Sequence, residues 1–255
     1  MVRVAACLWA AAAIFQSAQA GESAALYDAY WAGLPAGEIR LTLRDDAAAY
    51  RNEIAIRTDG LARLLTRFRG SAVSEGRFAE HLPAPSRYDA AYDLRKARDR
   101  HLSMAFAPHA GGALVAERGI ADTSKKPPLA EPFRTNVLDP LSALAAIRLE
   151  LRRGNRGPFT IPVYDGTRRF DASVRILPKR AGEPALQLAL TLAPIAGFKG
   201  ETSEDGDPDT APRPVLLTIS DDERLMPLSM SVSLGYLPLV VELRRWCGDA
   251  APCPW

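Results

Sequence analysis

The side chains that could do chemistry are few and scattered. The three histidines, His81, His101 and His109, form no short-spaced ligand pair, so a zinc site would need partners brought from distant strands. Asp165, Asp171 and Asp222 are candidates for an acid–base pair, but the chemistry of hairpin-turn aspartates accounts for them better. The carboxylates Glu201, Glu204, Asp205, Asp207 and Asp209 crowd one acidic stretch, without the regular spacing and closing glutamate of a calcium loop. There is no G-x-S-x-G elbow, phosphate-binding loop or dinucleotide glycine fingerprint. The chain therefore reads as non-enzymatic, with no cofactor and no metal.

Two features do stand out. Arg148 falls near the middle of the apolar face of a helix that carries Leu141, Leu144, Ala145, Leu149 and Leu151, at about 100° per residue. Such an arginine either snorkels to the rim of the core or is held inside by a carboxylate, because an unpaired buried charge is very costly. It is also the candidate contact for an anionic head group. The second feature is the pair Cys247 and Cys253, separated by a short segment with Gly248 and Pro252 that lets a small loop close. A structural disulfide is the expectation.

These residues need a frame, and the helix is its organising piece. Asp139 can cap the first free N–H groups and Pro140 suits the first helical position. Arg152 and Arg153 lie where the dipole favours cations, and Gly154 can take the left-handed closing residue. A second, shorter helix is expected over 58–68, with Leu61, Leu64, Leu65 and Phe68 on one face.

Around these helices the sequence is strand-like. Leu26–Trp31, Glu38–Arg44 and Tyr50–Arg57 form a meander. From Ser71 to Glu117 short strands return, clearest over Arg87–Leu94 and Arg100–Phe106. Ser124–Pro132 is proline-rich and reads as a loop. Phe159–Tyr164 and Arg168–Leu177 flank Asp165-Gly166, where both turn residues tolerate positive φ. Ala185–Leu192, Val215–Ser220, Leu228–Leu234 and Leu239–Trp246 complete the set, and 200–214 is expected as an exposed loop. About a dozen short strands without a βαβ pattern predict a mainly β fold: one strongly curved antiparallel sheet, open or barrel-like, with two short helices. The main helix is covering or plugging that sheet.

The chain opens with Arg3, an apolar run from Val4 to Phe15 and Ala18-Gln19-Ala20, the parts of a cleavable secretory signal peptide with cleavage after Ala20. The expected organisation is a signal peptide over 1–20, a single β domain over 21–246 and a disulfide-closed tail over 247–255. No later apolar run is long enough to cross a bilayer as a helix. A formal net charge of +2, reduced once Arg3 is lost with the leader, gives no footprint for nucleic acid.

Several short patterns in order carry a family resemblance: Tyr27-x-x-Tyr-Trp-x-Gly33-x-x-Ala36-Gly37-Glu38 and Thr58-x-Gly60-Leu61 come first. Asp139-Pro140-Leu141-Ser142-Ala143-Leu144 with Arg148, Asp165-Gly166-x-Arg168-Arg169-Phe170 and Ser220-Asp221-Asp222-x-Arg224-x-x-Pro227-Leu228 follow. In these the chain resembles domain-of-unknown-function family 3108, uncharacterised secreted bacterial proteins. The resemblance implies an envelope-associated protein of the periplasm of a Gram-negative bacterium and a shape similar to other open, spiral β proteins there. It implies no activity and no catalytic residues. The functional expectation is binding of an apolar or amphipathic, lipid-like envelope molecule in the hollow of the sheet, with Arg148 as its polar contact. The alternative is a scaffold in envelope integrity that acts through a protein partner.

Overall fold

The computed structural model describes residues 21–60, 67–78, 83–94, 97–106, 114–118, 129–179, 182–198, 210–234 and 237–247. The first meander comprises β1 (Gly21–Trp31), β2 (Leu34–Asp45), β3 (Ala49–Thr58), β4 (Arg69–Phe78), β5 (Pro83–Leu94), β6 (Ala97–Phe106) and β7 (Leu114–Arg118). A 3₁₀ turn (Glu131–Phe133) and helix α1 (Pro140–Arg152) follow. The second meander comprises β8 (Phe159–Tyr164), β9 (Arg169–Ile176), β10 (Ala185–Ala196), β11 (Arg213–Ser220), β12 (Pro227–Leu234) and β13 (Leu237–Cys247).

All thirteen strands form one antiparallel sheet, and every neighbour in it is consecutive in sequence except the pair β1 and β13. That single long-range pairing joins the two meanders, and β7 and β8 remain as the two edges of an unclosed sheet. The β8 edge is partly covered, because Leu138 N–H donates to Pro162 O and Tyr164 N–H to Leu138 O. Covering an edge in this way limits unwanted strand addition.

Helix α1 lies in the concavity. Asp139 accepts from the N–H groups of Leu141 and Ser142, Pro140 occupies the first turn, and Gly154 closes the helix at φ +75°. The helix is buried more fully than one amphipathic face requires. Ser142, Ala143, Ala146 and Ile147 are buried along with Leu141, Ala145, Arg148 and Leu151, whereas Leu144 and Leu149 are only half-buried. The sheet wraps the helix from several sides, so small residues are selected where strands come close. One core cluster joins Leu138, Ile147 and Leu151 to β8–β12, a second joins Leu141 and Tyr164 to β4–β6, and a third lies between β1, β2 and β13 around Met226.

Several expectations need adjustment. Strand β1 starts five residues earlier than its hydrophobic pattern, and Arg213 and Pro214, read as loop, open β11. The β8–β9 turn runs over Asp165–Arg168, so β9 starts at Arg169, and of its residues only Gly166 takes positive φ, at +91°. Asp165 shapes that turn with its side chain instead, accepting from Thr167 N–H, Thr167 Oγ1 and Arg168 N–H. The second helix expected over 58–68 falls mainly on residues 61–66, which lie outside the described residues, as do 1–20 and Cys253.

Candidate functional site

The position of α1 is set by two buried polar anchors. At its N-terminus, the Asp139 carboxylate takes four donors: two backbone N–H groups, Ser142 Oγ, and Ser74 Oγ at 2.9 Å. Tyr50 Oη and Ser142 Oγ are 2.6 Å apart, and Asn52 Nδ2 donates to Leu141 O. These partners lie on β3 and β4, so the cluster stitches the helix start to the first meander. Burial raises the Asp139 carboxyl above its ordinary value, against the lowering effect of its hydrogen bonds. Burial likewise pushes the Tyr50 hydroxyl up.

At the other end, Arg148 is held inside by a carboxylate. Its side chain is 3% exposed, and its Nη1 donates to Asp45 Oδ1 at 2.8 Å while Nη2 donates to Arg224 O at 2.7 Å. Arg152 completes an ion pair to the other oxygen of Asp45. Desolvation lowers the Arg148 guanidinium below its ordinary value, and the Asp45 charge opposes that shift. These contacts fasten the helix to the end of β2 and to the loop before β12. Arg148 lines neither of the cavities described below.

Between the anchors the helix fills the concavity, but beyond its N-terminus it leaves a hollow. The cause lies in β4, whose inward positions are Gly70, Ala72, Ser74 and Gly76. Ser74 lets the helix cap approach, and Gly70 and Ala72 put almost no bulk beyond it. A cavity of about 340 Å³ results, with Ile54, Ile56, Phe68, Ala72, Ala90 and Leu102 among its walls. The Asp165–Arg168 turn lies over it. Gly166 sits so close to Leu102 that a Cβ there would approach Leu102 Cδ2 to 2.3 Å. Tyr88 lies at the inner end, its hydroxyl pushed up by burial with the Asp139 and Asp165 charges adding to the effect. Phe68 stacks on Tyr92 at 6.4 Å between ring centroids. Arg100, His101 and Arg168 supply polar groups at the border.

A second cavity, of about 450 Å³, continues around the same end of the sheet and shares Ile56, Gly70, Tyr92 and Arg100 with the first. Its further lining includes the outward-facing Arg57, Arg69 and Asp93. Apolar cavities with a few convergent polar groups are the usual form of a small-molecule site.

The aspartates singled out in the sequence act locally. Asp165 holds its own turn and pairs with Arg168, Asp171 pairs with Arg169, and Asp222 accepts from Ser220 Oγ and two turn N–H groups. Among the described residues no group of three or more His, Cys, Asp or Glu side chains could hold a metal, and His81 and His109 lie outside them. No described helix is long and apolar enough to cross a membrane. Cys247 ends β13 and is 6% exposed, opposite Ala24 of β1. The sequence places short strands from Ser71 onward without singling out β4, whose inward residues have no hydrophobic signal; the available cue is four small residues at every second position.

A family profile described as "protein of unknown function (DUF3108)" matches residues 26–181. Among solved structures, the chain is similar to a beta-barrel-like protein of domain of unknown function DUF1849 from Brucella abortus, with a TM-score of 0.58 at 12% identity. That match covers 89% of this chain and 97% of the other. At this identity the likeness is one of fold. No protein of curated function matches the chain.

Proposed function

The chain belongs to the DUF3108 family, and from that premise we propose that it is an exported, non-enzymatic protein that binds an apolar or amphipathic envelope molecule in its inner cavity. The observation that carries the reading is the hollow of about 340 Å³ left where α1 stops and β4 contributes only small residues. A core in ordinary close packing leaves few voids larger than a water molecule. Walls such as Ile54, Ile56, Phe68 and Leu102 suit an acyl chain or another apolar group, with Arg100 and Arg168 as polar contacts at the border. In this reading Arg148 serves the site by fixing the helix that bounds it. Export through the leader over 1–20 and a Cys247–Cys253 disulfide are part of the same proposal.

The test is native mass spectrometry of protein purified from the periplasm without detergent, followed by organic extraction, beside binding of the neutral fluorophore N-phenylnaphthylamine. An extra mass released by extraction, or fluorophore binding abolished by Ala90→Phe in a variant that keeps its Tm, supports the cavity as the site. Absence of both retained mass and fluorophore binding overturns it.

A scaffold acting through a protein partner draws on a different observation. Trp31, Leu34 and Leu237 are 37%, 55% and 43% exposed at neighbouring hairpin ends, where Ala32 N–H donates to Pro238 O. Exposed apolar residues gathered at one end suit a partner surface. If that surface is the function, Trp31→Ser with Leu34→Ser abolishes the cellular role and leaves fluorophore binding intact.

A further inference from the structure

We propose that the ligand of the inner cavity is an amphiphile with an anionic head, a carboxylate or a phosphate, held by Arg168 at the border of that cavity. This rests on the binding role proposed above and adds the chemical class of the ligand.

The two cavities together are lined by the guanidinium groups of Arg57, Arg69, Arg100 and Arg168, and by only two carboxylates, Asp93 and Asp165. His101 adds a further titratable nitrogen from β6. The surplus is local, for the chain as a whole carries a formal net charge of only +2. Arg57 is paired with Glu38 on β2. Asp165 is largely consumed by its own turn, accepting from Thr167 N–H, Thr167 Oγ1, Arg168 N–H and Arg168 Nε. Arg168 gives Asp165 only its Nε, and its two Nη groups have no hydrogen-bond partner among the described residues. Its guanidinium lies over the Phe198 ring at 5.6 Å, which fixes its plane while leaving the Nη edge available.

Donors of this kind suit an anion. A planar guanidinium pairs with a carboxylate or phosphate through two parallel N–H···O bonds, and such charge-assisted bonds are about twice as strong as neutral ones. A neutral head leaves the Nη donors to water, and a cationic head is repelled. The apolar walls supply the other half of the selection, because a free anion fills none of the hollow.

The experiment displaces N-phenylnaphthylamine from the wild-type protein with dodecanoate, dodecyl phosphate, dodecanol, dodecyltrimethylammonium and inorganic phosphate, all at low salt. Dodecanoate and dodecyl phosphate are expected to compete about tenfold better than dodecanol. Arg168→Gln removes that advantage, measured as the ratio of anion to dodecanol competition within the same variant. Dodecanol competing as well as the anions, or the Arg168→Gln variant keeping their advantage, overturns the anionic head while leaving the cavity reading intact. Displacement by inorganic phosphate alone overturns the amphiphile in favour of a free-anion site. If the fluorophore does not bind and no mass is retained, the cavity reading itself fails and this inference falls with it.

Discussion

Arg148 and Asp45 lie 103 residues apart in sequence and 2.8 Å apart in the fold, both with side chains 3% exposed. The pair joins the plugging helix to the end of β2, and Arg148 also caps the carbonyl of Arg224 before β12. Three separate segments therefore meet on one guanidinium. Arg148→Ala leaves Asp45 buried with only the partly exposed Arg152 as partner, so the expected cost is about 3–5 kcal/mol in urea denaturation. Replacing both partners with apolar residues, Arg148→Met with Asp45→Leu, should recover much of that loss. A loss below roughly 0.5 kcal/mol for Arg148→Ala would place this pair with ordinary surface ion pairs.

Asp139 makes a prediction about pH. Its carboxyl titrates above its ordinary value because burial outweighs four hydrogen-bond donors. Folding thus favours the protonated form. The stability this group contributes is complete below the unfolded value and is lost as pH rises through the raised folded value. Asp139→Asn keeps an acceptor for the helix N–H groups and removes the titration. As pH rises from about 4 into the alkaline range, Tm of the wild type should fall relative to that of the variant. A constant difference between the two curves across that range would contradict the assignment.

The helix was legible because its signals are local. Asp139, Pro140 and Gly154 act within a few residues of the ends they define, and strands such as Glu38–Arg44 announce themselves by alternation. What stayed hidden depends on distance or on missing bulk. The β1–β13 pairing, which joins the meanders, links segments at opposite ends of the chain. For Arg148 the sequence leaves open a place at the rim of the core or a buried carboxylate partner, and nothing near it in sequence identifies Asp45. The cavity depends on Gly70 and Ala72, small residues that give no period-two hydrophobic signal. A site made by absent side chains is the hardest kind to see in a sequence.

The tail bears on stability and compartment together. Cys247 closes β13 beside Ala24 of β1, where a bridge to Cys253 would tie the chain's last segment to the strand pair that joins the meanders. The entropic model gives roughly 2 kcal/mol for so small a loop. Exported protein with its leader removed should show no alkylatable thiol before reduction and a thiol on each of Cys247 and Cys253 afterwards. Cys253→Ser should lower stability by about the same 2 kcal/mol. Two thiols reactive without reductant would end the disulfide proposal.

The turn over the cavity gives the last test, because two costs at Gly166 can be separated. Its φ of +91° lies where residues with a Cβ are strained, and that Cβ would meet Leu102 Cδ2 at 2.3 Å and Cδ1 at 2.7 Å. The steric part is relieved if Leu102 is shortened, since the clashing atoms are the far end of a side chain. The backbone part is not, and costs about 1–2 kcal/mol for an L residue. Gly166→Ala in the Leu102→Ala background should therefore cost less than in the wild type, yet not fall to zero. Because the turn and Leu102 together bound the cavity, Gly166→Ala alone should also weaken N-phenylnaphthylamine binding by displacing one against the other. Equal stability losses in the two backgrounds would mean that Leu102 moves aside freely and that the backbone alone sets the requirement for glycine.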